Sequence, residues 1–218
     1  MICENIKKIK NCIPNDISIV AVSKTKPKEL ILEAYKGGHK VFGENKVQEL
    51  IEKEQELPKD ISWHFIGHLQ RNKVKFIAPF IDLIHGVDSF KLLKEINKQA
   101  KKHNRVIPCL LQFHIAKENT KFGFSQQETD NIINSDEFNE LLNIKICGVM
   151  GMASNTNDED IVANEFANLK LIFTKLQSND KTSSDFKIIS MGMSNDYIIA
   201  IKQGSNMIRV GSIIFGKR

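Results

Sequence analysis

The chain offers little sulfur chemistry. Its four cysteines, Cys3, Cys12, Cys109 and Cys147, form no C-x-x-C pair, so neither a zinc knuckle nor a redox motif is indicated. Cys109 and Cys147 lie in apolar runs and read as small core residues, which fits a reducing, cytoplasmic setting. Aromatics are scarce, at 7%, and do not interleave with basic runs such as Lys7-Lys8, Lys101-Lys102 and Lys217-Arg218. The net charge of +5 therefore lends no support to a nucleic-acid surface, and none is expected. No apolar run approaches the roughly 18 residues of a membrane span. The N-terminal Met1-Ile-Cys-Glu-Asn-Ile-Lys-Lys lacks the apolar core and cleavage site of a signal peptide. No Gly/Pro/Ser-rich linker interrupts the 218 residues, so one domain, 1–218, is expected.

What is present is a steady alternation of strand-like and helix-like segments. Strands are expected at 17–22, 40–42, 62–66, 82–87, 106–113, 144–150, 187–189 and 207–210. Helices are expected at 28–36, 46–57, 73–77, 90–103, 126–134, 158–177 and 195–203, after an N-terminal helix. Ser89 is placed to cap the helix that follows it. Asp158, Glu159 and Asp160 sit at a helix start, where the dipole favours acids. Such alternation suits an open doubly wound sheet or a closed barrel. Eight strand–helix units within this length favour a single-domain (β/α)8 TIM barrel with an extra N-terminal helix.

In such a barrel, chemistry belongs at the C-terminal ends of the strands, and polar residues recur at those exits. The exits read Lys24, Phe42-Gly-Glu-Asn45, Gly67-His68 after His64, His85-Gly-Val-Asp88, Gln112-Phe-His114, Met150-Gly-Met152, Ser190-Met-Gly-Met-Ser194 and Arg209-Val-Gly211-Ser212. Five of the seven residues before Lys24 are Ile, Val or Ala, so a buried strand delivers this amine at its tip. Desolvation there would free the amine as a nucleophile toward an aldehyde. On this stretch alone, a lysine whose stem follows the strand end into water is an equal reading.

The segment Ser190–Ser194 combines a glycine with a serine at a helix start, and Arg209–Ser212 adds further backbone N–H groups. Together they resemble an anion cradle after strands seven and eight. Taken singly, each segment is more simply a helix cap or a turn. A nucleophilic lysine facing a phosphate cradle suits a phosphorylated aldehyde, of which pyridoxal phosphate is the leading candidate. His64 and His68 stand four apart without a third ligand, so no metal site is expected. His39 and His103 are expected in water and Trp63 in the core. Arg71, Asn72 and Lys73 read as a solvated helix start.

The segments Ala21-Val-Ser-Lys24-Thr-Lys-Pro27, Phe42-Gly-Glu-Asn45, His64-Phe-Ile-Gly-His-Leu-Gln-Arg-Asn-Lys73, Val87-Asp-Ser89, Lys121-Phe-Gly123, Gly148-Val-Met-Gly-Met152, Ser190-Met-Gly-Met-Ser194 and Met207–Gly216 run in order through nearly the whole chain. In them the chain resembles the pyridoxal phosphate homeostasis protein family, small relatives of the alanine racemase barrel. The resemblance implies that Lys24 holds pyridoxal 5'-phosphate as a Schiff base. It implies that Ser194, Gly211 and Ser212 bind the phosphate, that Ser190 is a further cofactor-binding residue, that Arg209 faces the pyridine nitrogen, and that Asn45 and Met150 line the ring. His64 would lie further back in the barrel. Four positions depart from the family pattern: His114, Gly86, Lys46 and Asn206. They bear on supporting contacts and loops, not on the lysine, the serine or the Arg-x-Gly.

Alanine racemases carry a second domain that supplies an acid/base tyrosine, and on this reading the chain has no counterpart to it. Its two tyrosines, Tyr35 and Tyr197, fall in helical stretches. A non-catalytic carrier that buffers or delivers pyridoxal phosphate is therefore expected, with apo-enzymes as recipients. The alternative is a racemase-like enzyme of weak activity. A cofactor-free Schiff-base aldolase and a charge-driven nucleic-acid binder stand behind these. No apolar interface patch is readable, and a monomer is expected.

Overall fold

Runs of Ile, Val and Leu, too short for helices and closed by polar or glycine residues, form eight strands. These are β1 (Ser18–Val22), β2 (Val41–Glu44), β3 (Ser62–Phe65), β4 (Leu83–Val87), β5 (Ile107–Phe113), β6 (Ile144–Gly151), β7 (Ile188–Ser190) and β8 (Met207–Val210). All pair in parallel with their sequence neighbours. β8 returns to β1 with Val20 opposite Arg209, closing the barrel. The structure is a computed structural model and describes residues 1–116, 123–179 and 184–216. Lys121 and Phe122 of the family segment, and the basic Lys217-Arg218 pair, lie outside the described residues.

The helices are α1 (Ile2–Cys12), α2 (Lys28–Lys36), α3 (Val47–Glu56), α4 (Val74–Ile77), α5 (Phe90–Lys102), α6 (Gln126–Ile133), α7 (Asp136–Asn139), α8 (Glu159–Gln177), α9 (Tyr197–Lys202) and α10 (Ser212–Phe215). A 3-10 turn, Arg71–Lys73, leads into α4. The expected alternation and the helix before β1 are present. The short α7 and α10 were not expected. Asp158 caps α8, accepting from the N–H groups of Asp160 and Ile161. Ser89 stands at the start of α5 but its side chain makes no capping bond.

Two apolar layers hold the barrel. The outer layer lies between strands and helices and includes Ile19, Phe42, Trp63, Phe65, Ile84, Ile208 and Val210. A smaller inner cluster joins Val20, Leu83, Leu110, Cys147, Met150 and Met207. Along β8, Met207 therefore faces inward and Ile208 outward, and Arg209 faces inward again, as a strand's period of two requires. His39 is buried, contrary to the expectation of a solvated ring. It packs edge-on against Phe42, and its Nε2 lies 2.8 Å from the Val41 carbonyl oxygen.

Candidate functional site

A cleft of about 850 Å³ opens at the C-terminal ends of the strands, where a barrel carries its chemistry. Lys24, Asn45, Ser194, Arg209, Gly211 and Ser212 all line it, so six of the eight candidates converge. Met150 and Ser190 do not. Both are buried beneath the cleft, Met150 in the inner apolar cluster and Ser190 at the end of β7. Lys26, His68 and Asp196 also border the cleft.

Lys24 follows β1 by two residues. Its neighbour Ser23 is fully buried, and the Ser23 carbonyl accepts from the Lys26 N–H at 3.0 Å. Lys24 thus stands at the first corner of a four-residue turn, at the rim where β1 meets β2 and β8. Across the cleft, Gly192 has φ +96, and a Cβ there would lie 2.6 Å from Ala200. Only glycine lets β7 fold back into the start of α9 at that distance. Ser194 Oγ accepts from the Gly211 N–H at 3.2 Å, tying the two halves of the cradle together. α10 begins at Ser212, so its first N–H groups have no carbonyl within the helix to meet.

Arg209 is 4% exposed on the inner wall. Its Nη1 donates to the Ser190 carbonyl and to Ser190 Oγ, both at 2.7 Å, and its Nη2 to the Gly151 carbonyl at 3.0 Å. Three of its five N–H donors are therefore committed, and two are left for the cleft. Burial pulls its pKa down to about 10, with Asp196 acting in the opposite sense. It stays cationic at neutral pH.

The arginine roots a chain of polar groups inside the barrel. Ser190 Oγ lies 2.9 Å from His85 Nδ1, and His85 Nε2 lies 3.0 Å from His64 Nδ1. Arginine can only donate, so Ser190 Oγ accepts from it, and the Ser190 hydroxyl donates to His85 Nδ1, the one remaining partner its proton has. His85 Nε2–H then donates to His64 Nδ1, which assigns the Nε2–H tautomer to both rings. Burial lowers the His64 pKa to about 4, and burial with the nearby His64 and Arg209 holds His85 well below its usual value. Both rings are neutral near pH 7. Reading the sequence placed His64 back in the barrel but missed this chain. The usable signal was alternation, which turns His85, Ser190 and Arg209 to one side of the wall.

The remaining positions fall around this centre. His68 pairs with Asp88 at 2.8 Å at the cleft mouth, well apart in role from His64, so the two histidines share no site. Of the four departures, His114 and Lys46 are exposed. Asn206 accepts from the Ile189 N–H at 2.8 Å and donates to the Lys187 carbonyl at 2.6 Å, securing the entrance to β7. Gly86 sits against the exit of β3. Tyr35 donates to Asp60 at 2.7 Å on the surface, and neither tyrosine lines the cleft.

The site suits a phosphorylated pyridine aldehyde. An amine, a buried cation with donors to spare, Ser194 in the turn that precedes α9 rather than at the helix start expected for it, and Ser212 at the start of α10 share one cleft. Its lining cations Lys24, Lys26 and Arg209 outnumber its carboxylates Glu159 and Asp196. Barrel and site together define a protein of the alanine racemase N-terminal domain class, a family that matches residues 1–218. Within that class the chain belongs to the pyridoxal phosphate homeostasis protein family. It is 37% identical over 218 residues to the homeostasis protein of Aquifex aeolicus, covering 99% of this chain and 92% of that one. It is 37% identical over 211 residues to the human homeostasis protein, covering 92% and 76%. The structure of PipY from Synechococcus elongatus with pyridoxal phosphate bound superposes with a TM-score of 0.90 at 31% identity, covering 99% of this chain and 100% of that one. An alanine racemase from Clostridium difficile, at 20% identity and TM-score 0.77, shares the barrel over 56% of its length. Among the described residues no helix is long and apolar enough to cross a membrane.

Proposed function

We propose that this chain binds pyridoxal 5'-phosphate through a Schiff base on Lys24 and serves its homeostasis by buffering or delivering it, without turnover. The observation that carries this reading is the convergence of Lys24, Arg209, Ser194, Gly211 and Ser212 on one cleft. When bound, the cofactor supplies an aldehyde for covalent attachment and a ring that withdraws electrons. Lys24 supplies the attaching amine. Ser194, Ser212 and the N–H groups that open α10 hold the phosphate. Asn45 borders the ring, while Met150 and Ser190 act from below, Met150 as the apolar floor and Ser190 as the anchor of Arg209.

Arg209 faces the pyridine nitrogen with a guanidinium that keeps its proton. A cation there disfavours a protonated ring, so the electron sink is weakened. No tyrosine reaches the cleft to act as a second acid/base group. Both features favour holding over turnover, and apo-enzymes that need the cofactor are the natural recipients.

The test is the visible absorption spectrum of the purified protein beside Lys24→Ala, each titrated with pyridoxal 5'-phosphate. A visible band in the native chain that is absent from the variant supports the assignment. A native chain that stays colourless removes it. Measurable interconversion of amino-acid enantiomers that disappears in Lys24→Ala would overturn the non-catalytic reading in favour of a racemase-like enzyme.

A further inference from the structure

The turn that carries Lys24 is gripped from behind by a buried ion cluster. Its second corner, Thr25, has φ +63, a left-handed conformation that a β-branched residue rarely adopts. Something outside the turn has to hold it. The Thr25 N–H donates to Glu49 Oε1 at 2.5 Å. The same oxygen accepts from Lys53 Nζ at 2.7 Å. Lys53 Nζ also donates to the Ser23 carbonyl and to Glu44 Oε1, both at 2.8 Å. Ser23 Oγ donates to Glu44 Oε1 at 2.6 Å, and the Ser23 N–H to the Gly43 carbonyl at 3.1 Å. The residues on either side of Lys24 are thus bound at N–H, carbonyl and hydroxyl.

Two of the cluster's three members are deep, Glu44 fully buried and Lys53 8% exposed, and Glu49 is partly exposed where it meets Thr25. Placing opposite charges out of water is expensive, and an apolar pair of the same volume often holds an element at least as well. No apolar pair can bind a carbonyl and an N–H of a turn. Lys53 spends all three ammonium donors here, one of them on Ser23. The arrangement is therefore built around the Lys24 turn and does more than fasten α3 to the barrel.

We infer that Glu44, Glu49 and Lys53 are positioning residues for Lys24, fixing the backbone of its turn so that the amine enters the cleft toward a bound aldehyde. This rests on Lys24 being the point of attachment. In that step the amine nitrogen bonds to the aldehyde carbon and the aldehyde oxygen leaves as water. Its efficiency depends on where the amine stands relative to a ring already held by its phosphate. Loosening the turn should therefore impair condensation while leaving phosphate and ring binding intact.

Two ligands separate these effects. Pyridoxal 5'-phosphate condenses, and pyridoxine 5'-phosphate, with an alcohol in place of the aldehyde, only binds. Glu49→Ala removes the acceptor for Thr25, and should slow condensation about tenfold, the effect of losing one charge-assisted hydrogen bond. Its affinity for pyridoxine 5'-phosphate should stay within about twofold of the native value. Glu49→Gln keeps an oxygen acceptor and should recover most of the rate. Glu44→Gln with Lys53→Met removes the two buried charges together, leaves only the partly exposed Glu49 without its ammonium partner, and should show the same selective loss. The inference is overturned if Glu49→Ala condenses at the native rate. It is equally overturned if both ligands weaken in parallel as thermal stability falls, since the cluster is then only structural. A native chain that binds pyridoxine 5'-phosphate but never condenses with pyridoxal 5'-phosphate would refute Lys24 as the attachment point and this inference with it. Native condensation with indifferent variants refutes the inference alone.

Discussion

His64 and His85 are bases sealed inside the barrel, and their neutrality ties the fold to pH. In the chain from Arg209 through Ser190 to His85, His64 Nδ1 must accept. A proton placed there would oppose the His85 Nε2–H and loosen the anchor of Arg209. The His64 pKa is depressed from 6.5 to about 4 by burial. Its contribution to stability is therefore present above the unfolded value and is lost as pH falls from about 6.5 toward about 4, because the unfolded chain takes up the proton first. Glu44 acts in the opposite sense. Burial raises its pKa despite Lys53 and Ser23, so it opposes folding at higher pH and relents as pH falls. Between about pH 7 and pH 5, His64 alone should cost about 2 kcal/mol. Urea unfolding of the native chain and of His64→Gln at both pH values checks this. Gln cannot titrate yet can still accept from His85, so the pH dependence should be shallower in the variant by about that amount. Equal dependence in the two would mean that His64 does not carry it.

At the level of elements, β4 shows how a single residue sets a wall of the barrel. Its pairing with β5 shifts register between Ile84 and Val87, while simple alternation from Leu83 and Ile84 turns His85 inward. Gly86 lies in that stretch. A Cβ there would sit 2.3 Å from the Gly67 carbonyl oxygen at the exit of β3, so β3 and β4 approach more closely than any side chain allows. Gly86→Ser should therefore destabilise this chain by about 1–3 kcal/mol in urea unfolding. An unchanged midpoint would show that the β3 exit yields freely. The bulge was invisible in sequence, because a shift of register leaves the hydrophobic run intact. The long elements were legible for the converse reason: α8 and α5 carry periodic apolar faces, and β5 is an apolar run broken only by Gln112. α7 and α10 escaped because four residues are too few to show a period. The burial of His39 was decided by Phe42 and the Val41 carbonyl, contacts that no local pattern announces.

For the whole molecule, closure of the barrel decides which strand-exit residues meet. Lys24 and Arg209 lie far apart in sequence, yet β8 pairs with β1 and brings them to one cleft. The polar strand exits make that cleft legible in the sequence. What remained hidden was depth, since Met150 and Ser190 stand at the right heights of their strands but face the interior below the floor. A site assembled from so many strands belongs only to the folded chain, so its ligand must stabilise the fold. With pyridoxal 5'-phosphate at about 100 times its dissociation constant, linkage supplies about 2.7 kcal/mol. In a chain of this length that should raise the melting temperature by about 5–10 °C. Lys24→Ala keeps the phosphate cradle and Arg209 but loses the covalent bond, so at the same ligand concentration it should show less than half the shift. Thermal melts of both chains with and without ligand decide the point. Equal shifts would place the binding energy in the cradle alone and make Lys24 dispensable for retention. A small residual shift in the variant would divide the task as the geometry does, with the cradle recognising the phosphate and the lysine keeping the cofactor from leaving. The proposed carrier role requires that division, because reversing one bond at Lys24 would then suffice to release the cofactor.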